Sequence, residues 1–127
     1  MKTATLISRI LLGVMFLIFG LNGFLHFIPM PAPTGLAGQY MGALFSSHYL
    51  VAVFLLQLID GALLLSNRFV PIALTLLGPV IVNILLYHLL LAPEGMAPGI
   101  LALALWLAVF YSVRSSFAKV FAMREEA

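Results

Sequence analysis

Asp60 stands alone among apolar neighbours in LLQLIDGALLLS, residues 55–66. A carboxyl group deep in hydrocarbon costs about 2.5–3.5 kcal/mol on insertion scales, so it belongs against protein and calls for a partner. That makes it a candidate for handling protons or a ligand. Counting back from Asn67 places it ~10 Å inside one edge of its apolar run, and counting in from Lys2 places Arg9 at a similar depth in the first run. The spacing therefore predicts an Arg9–Asp60 ion pair between the first two runs, serving either as a structural tie or as part of a site. The competing reading has Arg9 extending to the lipid headgroups. Gln57 lies one turn from Asp60 on the same helical face. Its amide either bonds a neighbouring helix or meets a carbonyl-bearing ligand.

Two further sets of residues have the spacing to act together. Thr75, Pro79, Asn83 and Tyr87 recur at steps of four. Pro79 cannot donate to the Thr75 carbonyl, and Gly78 favours a bend there. This polar line predicts either the border of a cavity, with Asn83 and Tyr87 as pocket residues, or a proline kink repaired by Thr75 and packing. Asn22 and His26, four apart, join Gln39, His48 and His88 in an expected polar cluster at the opposite end of the runs. Histidines on different helices at one depth could ligate a metal or a b-type haem. Solvated interfacial histidines are the simpler reading, and neither metal nor haem is expected. At 100° per residue Arg9, Gly13, Gly20 and Phe27 share a face, with Asn22 and His26 ~120° away.

These residues sit in four apolar runs, at about 4–27, 48–66, 69–91 and 98–117. Each is close to the ~20 residues needed to cross ~30 Å of hydrocarbon as a helix. The fold expected is all-α: a single-domain integral membrane four-helix bundle over residues 1–127. Pro29, Pro31 and Pro33 end the first run. Thr34 can cap a short extra helix over 35–46, interfacial or re-entrant, with Gly38 and Gly42 spaced for close packing on another helix. Ser47 can cap the second span, and Pro71 suits the first turn of the third. Arg68 lies in the tight turn between them. Ala104, Ala108, Ser112 and Ser115 form a small-residue stripe on the fourth span, read as a packing seam. Trp106 is read as core filling or one wall of a ligand pocket. The segment 118–127 is expected to prolong the last helix.

Apolar residues make up 64% of the 127 residues and charged ones 8%, against about 25% charged in soluble domains. A soluble fold could not hide so much apolar surface. Threading the spans back and forth puts Lys2, Arg9, Arg68, Arg114, Lys119 and Arg124 at one face, while 28–47 and 92–97 hold no Lys or Arg. By the positive-inside rule both termini are cytoplasmic. The bases are few, dispersed and juxtamembrane, so the net charge of +2 signals topology and not a nucleic-acid partner. The absence of cysteine excludes thiol chemistry and iron–sulfur ligation. The first run continues through Phe24, His26 and Phe27 with no small-residue cleavage site, as a span does and a signal peptide does not.

Taken together, RILLGVMFLIFGLNGFLHF at 9–27, GLAGQYMGALF at 35–45 and LLQLIDGALLLSNRFVPIALTLLGPVIVNILLYH at 55–88 resemble the DoxX family of small four-helix membrane proteins. The Arg9–Gly13 and Asp60–Gly61 elements match best. Many members resemble LLELLGGLLLL in the second span, which aligns their Glu with Gln57 and their first Gly with Asp60. The acid here stands about one turn later. The resemblance implies association with redox enzymes, since relatives include the membrane subunit of a thiosulfate:quinone oxidoreductase.

The leading expectation is a membrane subunit or module serving quinone-linked oxidoreduction in a bacterial cytoplasmic (inner) membrane. A redox-enzyme subunit is its expected partner and quinone its expected ligand. Electron transfer needs a cofactor, and no flavin, iron–sulfur or copper motif is evident, so an oxidoreductase acting alone is not expected. One rival is a non-catalytic assembly or anchoring protein in which Arg9 and Asp60 only fix helix register. The other is a small proton-coupled transporter with Asp60 as the coupling acid. The charge bias argues against a dual-topology version of that transporter. Self-association remains open.

Overall fold

The computed structural model describes residues 2–123, which form helices and connecting turns with no strand among them. The helices are α1 (Lys2–Leu25), α2 (Gly35–Ser46), α3 (Tyr49–Ser66), α4 (Val70–Leu90) and α5 (Met96–Ser112), with short 3-10 turns at Pro93–Gly95 and Arg114–Phe117. α1, α3, α4 and, together with the preceding turn, α5 are long and apolar enough to cross a membrane. They pack in a ring: α1 on α3, α3 on α4, α4 on α5 and α5 back on α1.

The ring encloses one apolar core, in which Leu12 and Phe16 of α1 meet Leu64 of α3, Leu74, Leu77 and Ile81 of α4, and Ala102 and Val109 of α5. The outward faces are largely apolar too: Ile7, Leu11, Ile59, Val82, Leu101 and Leu107 are exposed. An apolar exterior around an apolar core is what lipid solvates and water does not. The chain thus has the build of an integral membrane protein.

The closest packing is between α1 and α3, which run antiparallel. A Cβ on Gly61 would lie 2.8 Å from both the Gly13 carbonyl oxygen and the Leu17 nitrogen, and one on Gly20 would lie 3.1 Å from the Phe54 oxygen. Backbone meets backbone at these positions, as small residues permit between membrane helices. Gly13 opposite Gly61 and Gly20 opposite Phe54 fix the register of the pair.

Several boundaries differ from expectation. The last helix ends at Ser112, not near 117, and residues 118–123 form turns and bends instead of prolonging it; residues 124–127 lie outside the described residues. Val113 leaves helical geometry at φ −116°, ψ 19°, and the Arg114 guanidinium donates to the Tyr111 carbonyl at 2.6 Å while lying over the Tyr111 ring. That contact occupies one carbonyl of the final turn and favours a stop. Thr34 precedes α2 but makes no side-chain cap. Ser47 accepts a hydrogen bond from the Tyr49 N–H at 3.3 Å.

The proposed packing role of Gly38 and Gly42 is not found. Gly38 lies against the Pro33 carbonyl of its own leading segment, and Gly42 faces open space. Nor is the Ala104–Ala108–Ser112–Ser115 stripe an internal seam, because all four residues are exposed. The buried face of α5 is Gly99, Ala102 and Val109. Trp106 fills space between α4 and α5, donating to the Leu74 carbonyl at 2.9 Å and stacking on Phe110.

Candidate functional site

α3 presents Gln57, Asp60, Gly61 and Leu64 as its buried face, a spacing of three and four residues that forms one stripe. Asp60 is completely buried and Gln57 is 6% exposed. Both Asp60 carboxyl oxygens and the Gln57 Oε1 have no hydrogen-bond partner among the described residues. Three buried oxygen atoms of two neighbouring side chains are thus left unsatisfied in an apolar interior. Such groups usually find partners, because leaving one unmade costs about 1–3 kcal/mol. An arrangement that retains two of them is equipped to accept hydrogen bonds from something else.

The expected Arg9–Asp60 pair does not form. The Arg9 guanidinium donates to the Leu64 carbonyl and, at 3.3 Å, to the Leu65 carbonyl. The register explains why. With Gly13 opposite Gly61, stepping back four residues on α1 and forward four on α3 brings Arg9 opposite Leu65, more than a turn from Asp60. Depth counted from the chain ends assumed that the helices begin in one plane; the glycine seam sets the offset instead. Arg9 consequently caps the C-terminus of α3, where carbonyls lack intrahelical donors and the helix dipole favours a cation. The same terminus carries a Schellman arrangement, with Asn67 left-handed at φ 55° and the Arg68 N–H donating to the Leu63 carbonyl.

α4 treats its polar residues differently. Thr75 donates from its hydroxyl to the Pro71 carbonyl at 2.8 Å, and Asn83 donates from its amide to the Pro79 carbonyl at 2.9 Å. Thr75, Pro79 and Asn83 are all exposed on the outer side of the bundle. The polar line therefore faces away from the core, and Asn83 does not join Asp60 and Gln57. Tyr87 is half-buried and packs between the Tyr40 ring of α2, 5.7 Å away, and the His88 ring at 5.0 Å. It too lies apart from the acid, about one and a half turns beyond Ile81 of the core.

The far-end residues do not gather into one cluster. His26 and His48 line one cleft of about 260 Å³ with Phe24, Phe45 and Phe54. Asn22 accepts from the Ile28 N–H at 2.7 Å, holding the chain as it leaves α1. His88 sits at the opposite junction, its Nδ1 3.0 Å from the Ala92 oxygen and its ring against Gly95, while Gln39 is exposed. His26 and His48 both adopt left-handed backbone, at φ 53° and 65°, where they end α1 and open α3.

A feature that residue spacing did not reveal lies at the other end. Lys2, Arg9 and Arg114 converge on a cleft of about 460 Å³ that also touches Thr5, Asn67, Val70, Val109 and Ser112. The signal was present as the shared sidedness of the bases, but only the ring closure of α5 on α1 brings them around one space. Comparison of the chain with models of protein families, with curated proteins and with solved structures finds no match.

Proposed function

We propose that the chain is a membrane subunit serving quinone-linked oxidoreduction, with Asp60 and Gln57 as the groups that meet the quinol. The observation that carries this reading is the pair of buried, unsatisfied side chains on one face of α3. A quinol presents two hydroxyl donors on an apolar ring, the complement of unsatisfied acceptors in an apolar interior. The quinone–quinol couple exchanges two protons along with two electrons. Asp60 is the group here able to take or return one of these protons; the other proton passes to or from a group on a partner subunit, as do the two electrons through that subunit's redox cofactor. The resemblance to the DoxX family supports the same assignment. The basic residues gathered at the Lys2–Asn67–Arg114 end support a cytoplasmic placement of that end, in a bacterial inner membrane, with both termini inside.

The test is binding of a short-chain quinol to the purified chain in nanodiscs, with Asp60→Asn and Gln57→Leu beside the parent. Asp60→Asn keeps an acceptor oxygen but exchanges a charged acceptor for a neutral one, a difference of about 1–1.5 kcal/mol, so binding should weaken about fivefold to tenfold. Equal binding by all three proteins, or none by the parent, overturns the proposal.

A second reading, a non-catalytic anchoring or assembly protein, is favoured by the Arg9 cap. That contact ties α1 to α3 without any ligand. It predicts that Arg9→Ala impairs assembly with a partner, while quinol binding is absent from the start.

A further inference from the structure

We propose that the cleft between the first turns of α1 and the end of α5 binds a phosphate group, held by Lys2, Arg9 and Arg114. Three basic side chains surround a space of about 460 Å³, and none of the described residues lining it is acidic. Each base approaches from a different height. Lys2 begins α1 and is exposed, Arg9 is half-buried two turns further in, and Arg114 follows the end of α5. Arg9 and Arg114 are each fixed through one guanidinium nitrogen, on the carbonyls of Leu64 and Leu65 and on that of Tyr111 respectively. A guanidinium has five N–H donors, so both retain donors while their positions are set by contacts made without the ligand. Pre-positioned arginines with donors to spare are suited to a tetrahedral oxyanion.

The rest of the lining agrees. Thr5, Asn67 and Ser112 add neutral polar groups at the rim, and Leu6, Val70, Ala108 and Val109 form an apolar flank. Val70 and Val109 belong to the bundle core, so the cleft grades from charge at its mouth to hydrocarbon at its floor. Basic pockets between membrane helices on one face have this composition when they hold phospholipid headgroups. A free phosphate would use the same bases and leave the apolar flank unoccupied. The site does not depend on Asp60 or Gln57 and stands or falls separately from the quinol reading.

The test uses the purified full chain in a neutral detergent, titrated separately with inorganic phosphate, short-chain phosphatidylglycerol and short-chain phosphatidylcholine. Binding is read by calorimetry in the parent, Lys2→Gln, Arg114→Gln and Arg68→Gln. Arg68 is a base at the same end that does not line the cleft. The expected result is tighter binding of phosphatidylglycerol than of phosphatidylcholine, weakened about fivefold by Lys2→Gln and by Arg114→Gln and unchanged by Arg68→Gln. That pattern with phosphatidylglycerol alone identifies a lipid headgroup, with inorganic phosphate alone a free anion, and with both the shared group. Binding of neither anion overturns the proposal, as does a preference that Arg68→Gln reduces as much as the cleft substitutions.

Discussion

α3 and α4 are adjacent spans of similar length, and each carries polar side chains in its interior. On α4, Thr75 and Asn83 face outward and donate to their own helix four residues back. On α3, Gln57 and Asp60 face inward, and their oxygens have no donor among the described residues. The difference is one of chemistry as well as azimuth. A hydroxyl or amide can donate to the carbonyl of the preceding turn and so tolerate hydrocarbon without help. A carboxylate is only an acceptor, and a helix interior has no free N–H to offer it; Gln57 carries the same amide as Asn83 and differs from it in facing inward. The polar groups of α4 are explained by their own helix; those of α3 are not, which is why the candidate site is placed there.

The sharpest way to break this contrast is to dislodge α3 from α1. Gly61 follows Asp60 directly, and a Cβ there would press on backbone atoms of Gly13 and Leu17, none of which can rotate away. Gly61→Leu should therefore separate the helices and cost about 3 kcal/mol, at the upper end of ordinary overpacking. Loss of a monodisperse peak in detergent, or a large fall in thermal midpoint, is the expected observation. A substituted chain that remains fully stable would mean that the glycine seam does not set the register, and the placement of Asp60 would lose its basis.

The next largest effect has the opposite sign. Asp60→Val exchanges an unsatisfied buried carboxyl for an apolar group of comparable size, which removes the desolvation penalty that no hydrogen bond offsets. The variant should be more stable than the parent by about 1–3 kcal/mol in unfolding titrations, while losing quinol binding. Stability that falls instead would show that the carboxyl is satisfied in the folded protein, and the contrast with α4 would disappear.

How far the residues alone could lead is visible in these same helices. The four spans were legible because length and hydropathy are properties of a segment by itself, and Pro29, Pro71 and Pro93 mark their limits locally. Burial of Asp60 and Gln57 on one face followed from their spacing. The Arg9–Asp60 pair did not, because register between helices depends on where two backbones touch, and here Gly13 and Gly61 decide it. The position of Asn83 and Tyr87 away from Asp60 was hidden for a related reason: a line at steps of four shares a face, but nothing within the line says whether that face turns inward. The early end of α5 was hidden because no glycine or proline marks it, and the stop comes from Arg114 folding back on Tyr111.

The smallest expected effect tests the other half of the contrast. Asn83→Leu and Thr75→Val each remove one back-bond to a carbonyl of the same helix and place an apolar group on the outer surface. In α4 the Pro79 and Pro71 carbonyls can also accept from the helical N–H groups four residues on, so no acceptor is orphaned. Hydrogen bonds between membrane helices average about 0.6 kcal/mol, and a back-bond to a carbonyl that already has a helical donor is worth no more. Both variants should stay within about 0.5 kcal/mol of the parent in unfolding titrations and bind quinol as the parent does. A larger loss confined to Asn83→Leu, accompanied by a change in oligomeric state, would mean that the outward face of α4 meets another protein surface and not lipid. Its polar groups would then need an explanation beyond their own helix, and the asymmetry that singles out Asp60 and Gln57 would weaken accordingly.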